Sequence, residues 1–406
     1  MYNLIMYLMQ MGIAIAAMFN EKARKLHRGQ HEALRVLKEN IDPAAEYVWF
    51  HAASLGEFEQ GRPLMERLRA EFSSYKILLT FFSPSGYEVR KDYKGADIVC
   101  YMPVDTPSNA RRFVELAHPK MAFFIKYEFW YNFLAELRKR QTPTFSVSSI
   151  FRADQIFFRW YGVGYRKVLS YITFFFVQNA ESKELLARLG YDNVAVTGDT
   201  RSDRVLQIRR QAKQLPVIEA FTKGFKVFVA GSSWPPDEDI FIRYFNDHPD
   251  WRLIIAPHVI AEDHLNQIVA KLKCPVERYT TATEQSAKAA HCLIIDCFGI
   301  LSSAYGYGNV AYVGGGFGVG IHNVLEAAVW NMPVIFGPNN GKFMEARGLL
   351  KAKGGFEINV YDDFERLMDT FTTDNKALKD AGDAAGDFVK SCTGATDIIF
   401  DKVMPK

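Results

Sequence analysis

From about residue 46 onward, short apolar runs alternate with amphipathic stretches, and the alternation stops once and then restarts. Runs at Tyr47–Phe50, Ile77–Phe82, Ile98–Met102, Met121–Ile125, Thr144–Val147, Phe174–Val177 and Val194–Thr197 form the first series. Arg201–Gln214 interrupts it with a polar, basic stretch that carries no strand signal. Runs at Lys226–Ala230, Leu253–Ala256, Cys292–Ile295, Val310–Val313 and Pro333–Phe336 form the second series. Strands alternating with helices predict a parallel, doubly wound sheet with helices on both faces. Two series therefore predict two α/β domains of similar size facing a cleft. The length of 406 residues agrees, being too great for one ordinary core.

Ligands of open α/β sheets bind beyond the carboxyl ends of the strands. The polar and glycine-rich segments of this chain lie just after predicted strands. The first is His51-Ala-Ala-Ser-Leu-Gly-Glu57. Ser54 and Gly56 suit a tight turn close to a ligand, and Glu57 falls at a helix start, where a carboxylate either takes a proton from a hydroxyl or complements the helix dipole. After the second strand comes Thr80-Phe-Phe-Ser-Pro-Ser-Gly86, where Ser83 and Gly86 suit a sugar hydroxyl or an ordinary turn. Lys126-Tyr-Glu128-Phe-Trp130 follows the fourth strand, and Arg152 follows the fifth. Glu128 suits a sugar or is a helix-start carboxylate, and Arg152 suits a phosphate or is a surface charge.

In the second series, Gly231-Ser232-Ser233 lies where small hydroxylated residues meet a helix start. Asp237-Glu-Asp239 has a metal-binding form, but after Pro235-Pro236 these acids read as helix N-terminal charges. Pro257-His258 and Phe298-Gly299-Ile300 are further loop candidates. Val313–Glu326 carries five glycines (Gly314, Gly315, Gly316, Gly318 and Gly320) between a strand and a helical run, Val324–Trp330. That order suits bare N–H groups against a phosphate, or a tight strand-to-helix turn. Asn323 and Glu326 lie three apart and would share a helix face.

The net charge of +3 does not argue for nucleic acid. Five cysteines in no metal-ligand spacing read as small apolar residues in a reducing compartment. Residues 1–20 carry no charged side chain, and Lys22, Arg24, Lys25 and Arg28 follow at once. This predicts a spanning or interfacial helix with its basic flank on lipid headgroups and the body of the protein on the cytoplasmic side.

The ordered set of motifs resembles the Kdo transferases, glycosyltransferase family 30, which add 3-deoxy-D-manno-octulosonic acid (Kdo) to the lipid A precursor of lipopolysaccharide. HAASLGE is similar to the segment around the family's catalytic glutamate. Glu128–Trp130, Gln178, Thr197-Gly198, Asp203, Gly231-Ser232-Ser233, Phe298-Gly299 and GIHNVLE match further family steps in order. The resemblance implies a GT-B fold, two Rossmann-like domains with an N-terminal membrane-associated helix. It implies inverting transfer from CMP-Kdo to lipid IVA at the cytoplasmic face of the inner membrane, with Glu57 as general base and neither metal nor cofactor. Ser54, Gly56, Ser83, Gly86, Glu128 and Arg152 would meet the acceptor. Ser232, Ser233, Pro257, His258, Phe298, Gly299, Ile300, Gly315, Gly316, Gly320, His322, Asn323 and Glu326 would meet the donor. The expected segments are 1–28 (anchor), 29–204 (acceptor domain), 205–222 (linker), 223–383 (donor domain) and 384–406 (a helix returning to the first domain). The chain departs from the family pattern at Lys126, where many members have Glu, at Trp234, where many have His, and before His258, where an arginine is missing. A transferase using another nucleotide sugar, such as a UDP-hexosamine, and a non-catalytic binding module are the alternatives.

Overall fold

The computed structural model describes residues 2–318 and 320–404. The chain divides into two compact units, Met1–Arg204 with Thr393–Lys406, and Val205–Cys392. Val319 of the glycine-rich stretch lies outside the described residues.

The N-terminal unit holds a parallel seven-stranded sheet of β1 (Tyr47–Ala52), β2 (Lys76–Phe81), β3 (Ile98–Tyr101), β4 (Pro119–Ile125), β5 (Thr144–Ser149), β6 (Phe174–Val177) and β7 (Val194–Val196). Their spatial order is β3-β2-β1-β4-β5-β6-β7. β1 is buried along its whole length, and its side chains alternate between two cores. Tyr47 and Trp49 join Phe113, Phe124 and Phe133 on one face, while Val48, Phe50 and Ala52 join Phe58, Leu64 and Phe81 on the other. A strand covered on both faces is apolar throughout instead of alternating with polar residues, which is why these runs stand out in the sequence.

The C-terminal unit repeats the plan with β8 (Lys226–Ser233), β9 (Trp251–Pro257), β10 (Val276–Arg278), β11 (Cys292–Ile294), β12 (Val310–Val313), β13 (Val334–Phe336) and β14 (Gly355–Glu357), in the order β10-β11-β9-β8-β12-β13-β14. Val227 and Val229 face one core and Phe228 and Ala230 the other. The edge strands β10 and β14 have three residues each and mixed polarity, so no apolar run announces them.

Residues 205–222, expected as a linker, are folded into the C-terminal unit. Val205, Leu215, Ile218 and Phe221 are buried in its core, and Pro216–Thr222 is a helix. The polar face of this segment hides a narrow apolar one. The second boundary also moves. The helix Asn375–Ser391 belongs to the C-terminal unit and the helix Ala395–Val403 to the N-terminal one, so the chain crosses after Cys392 and not at residue 384. Gly394, at φ 98°, separates the two helices. Asp203 fixes the crossing. It accepts the N–H of Gly394 at 2.6 Å, and the N–H and hydroxyl of Thr396 at 2.7 and 2.6 Å.

The first helix is Tyr2–Phe19. Its mean hydropathy of 1.5 over 18 residues makes it long and apolar enough to cross a membrane, which is weak support for membrane association. Leu4, Leu8, Met11, Ile15, Met18 and Phe19 are exposed on it. Its start is bonded to the body: the Tyr2 hydroxyl donates to Asp105 at 2.6 Å, and the Asn132 amide donates to Asn3 at 2.9 Å. The basic flank does not end at residue 28 but opens a second helix, Glu21–Asn40. Lys25 and Arg28 are paired there with Glu21 and Glu32, at 3.3 and 2.9 Å.

Candidate functional site

In each unit the first strand of the chain has neighbours that lead in opposite directions, β1 between β2 and β4, and β8 between β9 and β12. Such a switch in strand order opens a crevice beyond the carboxyl ends. His51–Glu57 and Lys126–Trp130 leave β1 and β4 at one switch point. Ser232–Trp234 and Gly314–Glu326 leave β8 and β12 at the other, with Pro257-His258 beside them at the end of β9.

At the N-terminal switch, Glu57 opens the helix Leu55–Glu71 with its side chain 17% exposed. Ser54 is the N-cap residue, yet its hydroxyl makes no capping bond and donates to Glu57 Oε2 instead. Lys126 Nζ lies 3.5 Å from Glu57 Oε1. Burial pushes the Glu57 carboxyl up, but Ser54 and Lys126 outweigh it and hold the group below its ordinary value. Lys126 therefore has a place in the site, as the partner of the carboxylate. Gly56 is exposed, and a Cβ there would meet nothing closer than the Ser54 hydroxyl at 3.7 Å. The turn does not need a glycine. What Gly56 leaves is open space beside Glu57.

Glu128 is fixed from two sides. Trp130 Nε1 donates to its Oε2 at 2.6 Å, and His51 Nε2 lies 3.3 Å from the same atom. His51 is fully buried, and its Nδ1 meets Thr80 Oγ1 at 2.8 Å, which also accepts Trp49 Nε1 at 2.8 Å. Trp130 stacks on Phe82. The carboxylate is thus anchored to the sheet through β1 and β2. Arg152 is exposed, with its guanidinium 5.8 Å from the Tyr127 ring centroid. Ser83 caps the helix Pro84–Arg90 by accepting the N–H of Ser85 at 3.2 Å. Gly86 is a packing residue: a Cβ there would lie 2.4 Å from Phe81 and 3.0 Å from the Ser54 backbone. Gln178 donates to Asp199 at 3.1 Å and to the Ser148 carbonyl at 2.9 Å.

The C-terminal switch is built differently. Ser233 belongs to β8, is fully buried and donates to Glu238 Oε1 at 2.9 Å, so its hydroxyl is not offered to a phosphate. The helix Pro235–Phe245 has its N-terminus taken by its own Asp237, whose Oδ2 accepts the N–H of Trp234 at 2.9 Å. Asp237 also accepts the Gly315 N–H at 3.0 Å and the Tyr312 hydroxyl at 2.7 Å. It was expected as a helix-end charge; it is also the clamp on the glycine loop. Asp239 pairs with Lys271 at 2.7 Å. Among the described residues, no three His, Cys, Asp or Glu side chains group as a metal site.

The glycines bring backbones together more than they bare them. A Cβ on Gly314 would lie 2.3 Å from the Ser232 carbonyl, and one on Gly316 would lie 2.5 Å from the Gly337 nitrogen. Gly315, at φ 93°, accepts from Gly318 and Gly320 at 3.0 and 3.1 Å. The N–H groups of Gly315, Gly318 and Gly320 are therefore spent inside the protein. The helix expected over Val324–Trp330 is only Leu325–Ala328, and Asn323 precedes it. Asn323 Oδ1 accepts the Leu325 N–H at 3.2 Å, and its Nδ2 donates to Glu326 Oε1 at 3.0 Å. The pair still forms, as a loop amide braced on a helix carboxylate.

Three rings line up beside this loop. Trp234 stacks on His258 at 4.7 Å, and His258 stacks on His322 at 4.5 Å, both with 26° between planes. Trp234 thus occupies the end of the stack, a role its sequence position did not suggest. Pro257 ends β9 and sets His258 beside the β8 terminus, where the His258 N–H donates to Ser233 O at 2.9 Å. Phe298 is 81% exposed next to exposed Gly299, while Ile300 turns into the core.

Residues 22–204 match the family model of the 3-Deoxy-D-manno-octulosonic-acid transferase (kdotransferase). The chain is 27% identical over 329 residues to a 3-deoxy-D-manno-octulosonic acid transferase of Aquifex aeolicus, covering 79% of this chain and 84% of that one. It is 25% identical over 381 residues to the Haemophilus influenzae transferase of the same name, covering 89% and 88%. Among solved structures, UDP-GlcNAc 2-epimerase from Neisseria meningitidis aligns with a TM-score of 0.60 at 13% identity, covering 88% of this chain and 99% of that one. CalG4, the Calicheamicin Glycosyltransferase, aligns with a TM-score of 0.53 at 10% identity, covering 89% and 100%. These two likenesses concern the fold, which is GT-B with two Rossmann-like units. The family model over residues 22–204 and the sequence relatives, at about 25% identity over most of the chain, support a Kdo transferase.

Proposed function

We propose that the protein transfers Kdo from CMP-Kdo to a lipid A precursor, lipid IVA, in lipopolysaccharide synthesis, with inversion and with Glu57 as general base. The observation that carries this reading is the Glu57 carboxylate, half-buried beside open space at the β1 switch point and held by Ser54. A sugar hydroxyl of the acceptor gives its proton to Glu57 as its oxygen bonds to the anomeric carbon. The bond from that carbon to the CMP phosphate breaks, and CMP leaves with the electron pair. A positioned carboxylate of this kind contributes on the order of 10²–10⁴-fold. Glu128, locked by Trp130 and His51, would orient the acceptor sugar. The braced pair Asn323 and Glu326 would take the nucleotide hydroxyls, beside the rings of His258 and His322. Neither helix start at the C-terminal switch is left to hold the departing phosphate, because Asp237 fills one and the other opens a four-residue helix. No metal takes part in this scheme. The exposed apolar side of the helix Tyr2–Phe19 would place the protein on the cytoplasmic face of the inner membrane, with Lys22 and Arg24 toward headgroups.

Mass spectrometry of lipid IVA incubated with CMP-Kdo tests the reading. Wild type is expected to add Kdo with EDTA present, and Glu57→Gln to lose about 10²–10⁴-fold in rate. CMP, and not UDP, is expected to raise the melting temperature. Stabilisation by UDP alone would point to another nucleotide sugar, and absence of transfer in wild type would leave a binding module.

A further inference from the structure

Both carboxylate oxygens of Glu57 are engaged. One carboxylate oxygen takes the Ser54 hydroxyl and the other lies 3.5 Å from the Lys126 ammonium. An ion-paired carboxylate is a weakened base, because proton uptake must break the pair. Lys126 is held where it is by its backbone. Its φ is 66°, in the left-handed region that side-chain-bearing residues seldom adopt. Its N–H donates to Val147 O and its carbonyl accepts the Ser149 hydroxyl, both at 2.8 Å. Lys126 shares the Tyr127 ring with a second cation. Lys126 Nζ lies 6.0 Å from the ring centroid and the Arg152 guanidinium carbon 5.8 Å. Two cations thus lie near one aromatic ring beside Glu57, a grouping that suits an anion.

The other charges nearby are engaged elsewhere. Arg62 pairs with Glu66 at 2.7 Å and Arg90 with Glu59 at 2.8 Å, and Glu128 lies 3.3 Å from His51 Nε2. Among the described residues, the charged group that acts on Glu57 is Lys126.

We infer that Lys126 is a positioning residue that couples the charge of the acceptor to the activity of the base: it restrains Glu57 until the acceptor binds and then moves to a phosphate on it. This rests on the base role proposed for Glu57. Once Lys126 turns to the phosphate with Arg152, the carboxylate keeps Ser54 as its partner and gains basicity. The acceptor hydroxyl then gives up its proton to Glu57 as described above. An acceptor without the phosphate leaves Lys126 in place and is turned over slowly.

The test is the pH dependence of transfer from CMP-Kdo, with lipid IVA and with its dephosphorylated form, for wild type, Lys126→Met and Lys126→Arg. The acid limb of kcat/KM reports the free protein and that of kcat the bound complex. In wild type with lipid IVA, the kcat limb is expected at higher pH than the kcat/KM limb. In Lys126→Met the kcat/KM limb rises by about one pH unit or more and meets the kcat limb. Lys126→Arg keeps the wild-type separation. Wild type is expected to prefer lipid IVA over the dephosphorylated acceptor by about tenfold or more in kcat, as for loss of one charge-assisted contact, a preference that Lys126→Met loses. Limbs that stay put in Lys126→Met, or an undiminished preference for phosphate, overturn the inference. Transfer that persists in Glu57→Gln instead overturns the base role, so the two failures are told apart.

Discussion

The two switch points solve one problem with different materials. The N-terminal one is made of ionisable side chains that hold each other: Ser54 and Lys126 on Glu57, His51 and Trp130 on Glu128. The C-terminal one is made of backbone brought close by glycine, clamped by one buried carboxylate and flanked by stacked rings. A set of mutually paired side chains can be retuned by changing one member, such as Lys126. A set of backbone contacts cannot, because nothing larger than hydrogen fits at Gly314 or Gly316. The difference suits the roles proposed for the two halves, a base whose strength is adjustable and a nucleotide holder of fixed shape.

Substitutions can break this contrast. Asp237→Ala removes the partner of the Gly315 amide and the Tyr312 hydroxyl, both buried, and of the part-buried Trp234 amide. Stranded donors cost about 1–3 kcal/mol each, so a loss of about 3 kcal/mol or more in the C-terminal unit is expected, along with the thermal response to CMP. Calorimetry would read it, and an unchanged midpoint would mean that the glycine loop holds itself. A smaller effect is expected from acid. Burial and the facing His258 lower the pKa of His322 below the ordinary value of 6.5. The neutral ring is therefore the one the folded state favours. Its contribution is intact above 6.5 and is lost as pH falls through the lowered value. The C-terminal unit should melt lower at pH 5.5 than at pH 7.5, with a smaller fall in His322→Phe; an equal fall would assign the effect to other groups. The smallest change is expected for Gly56→Ala, where there is room and no left-handed φ. Its stability should stay within about 0.5 kcal/mol of wild type or rise slightly, since alanine favours a helix. A clear loss of stability would show that the turn before Glu57 does require glycine.

The sheets were legible because strands buried on both faces leave unbroken apolar runs, as at Val48–Phe50 and Val227–Ala230. The edges β10 and β14 were not, since Val-Glu-Arg and Gly-Phe-Glu bury too little to leave a pattern. Glu57, Glu128, Asn323 and Glu326 could be singled out because each lies in the loop or helix start that follows a strand. What those residues touch could not. Ser54-Leu-Gly-Glu57 has the spacing of a capping box, yet Ser54 turns from the helix amides to the carboxylate. Five glycines around a strand end read equally as a phosphate cradle or a close contact, and only the proximity of Ser232 and Gly337 decides. The Trp234–His258–His322 stack joins residues from three strand ends, which no local window contains.

The return of the chain through Asp203 reverses the usual order of assembly during synthesis, in which the earlier unit is completed first. Ile399, Phe400 and Met404 fill the same core as Val48, Phe50 and Phe58, but the ribosome makes them only after the whole of Val205–Cys392. The unit that carries Glu57 must therefore wait, with part of one core open, while the unit that carries Asn323 has every residue it needs. A tag or truncation at the C-terminus would strike the half of the protein that is made first.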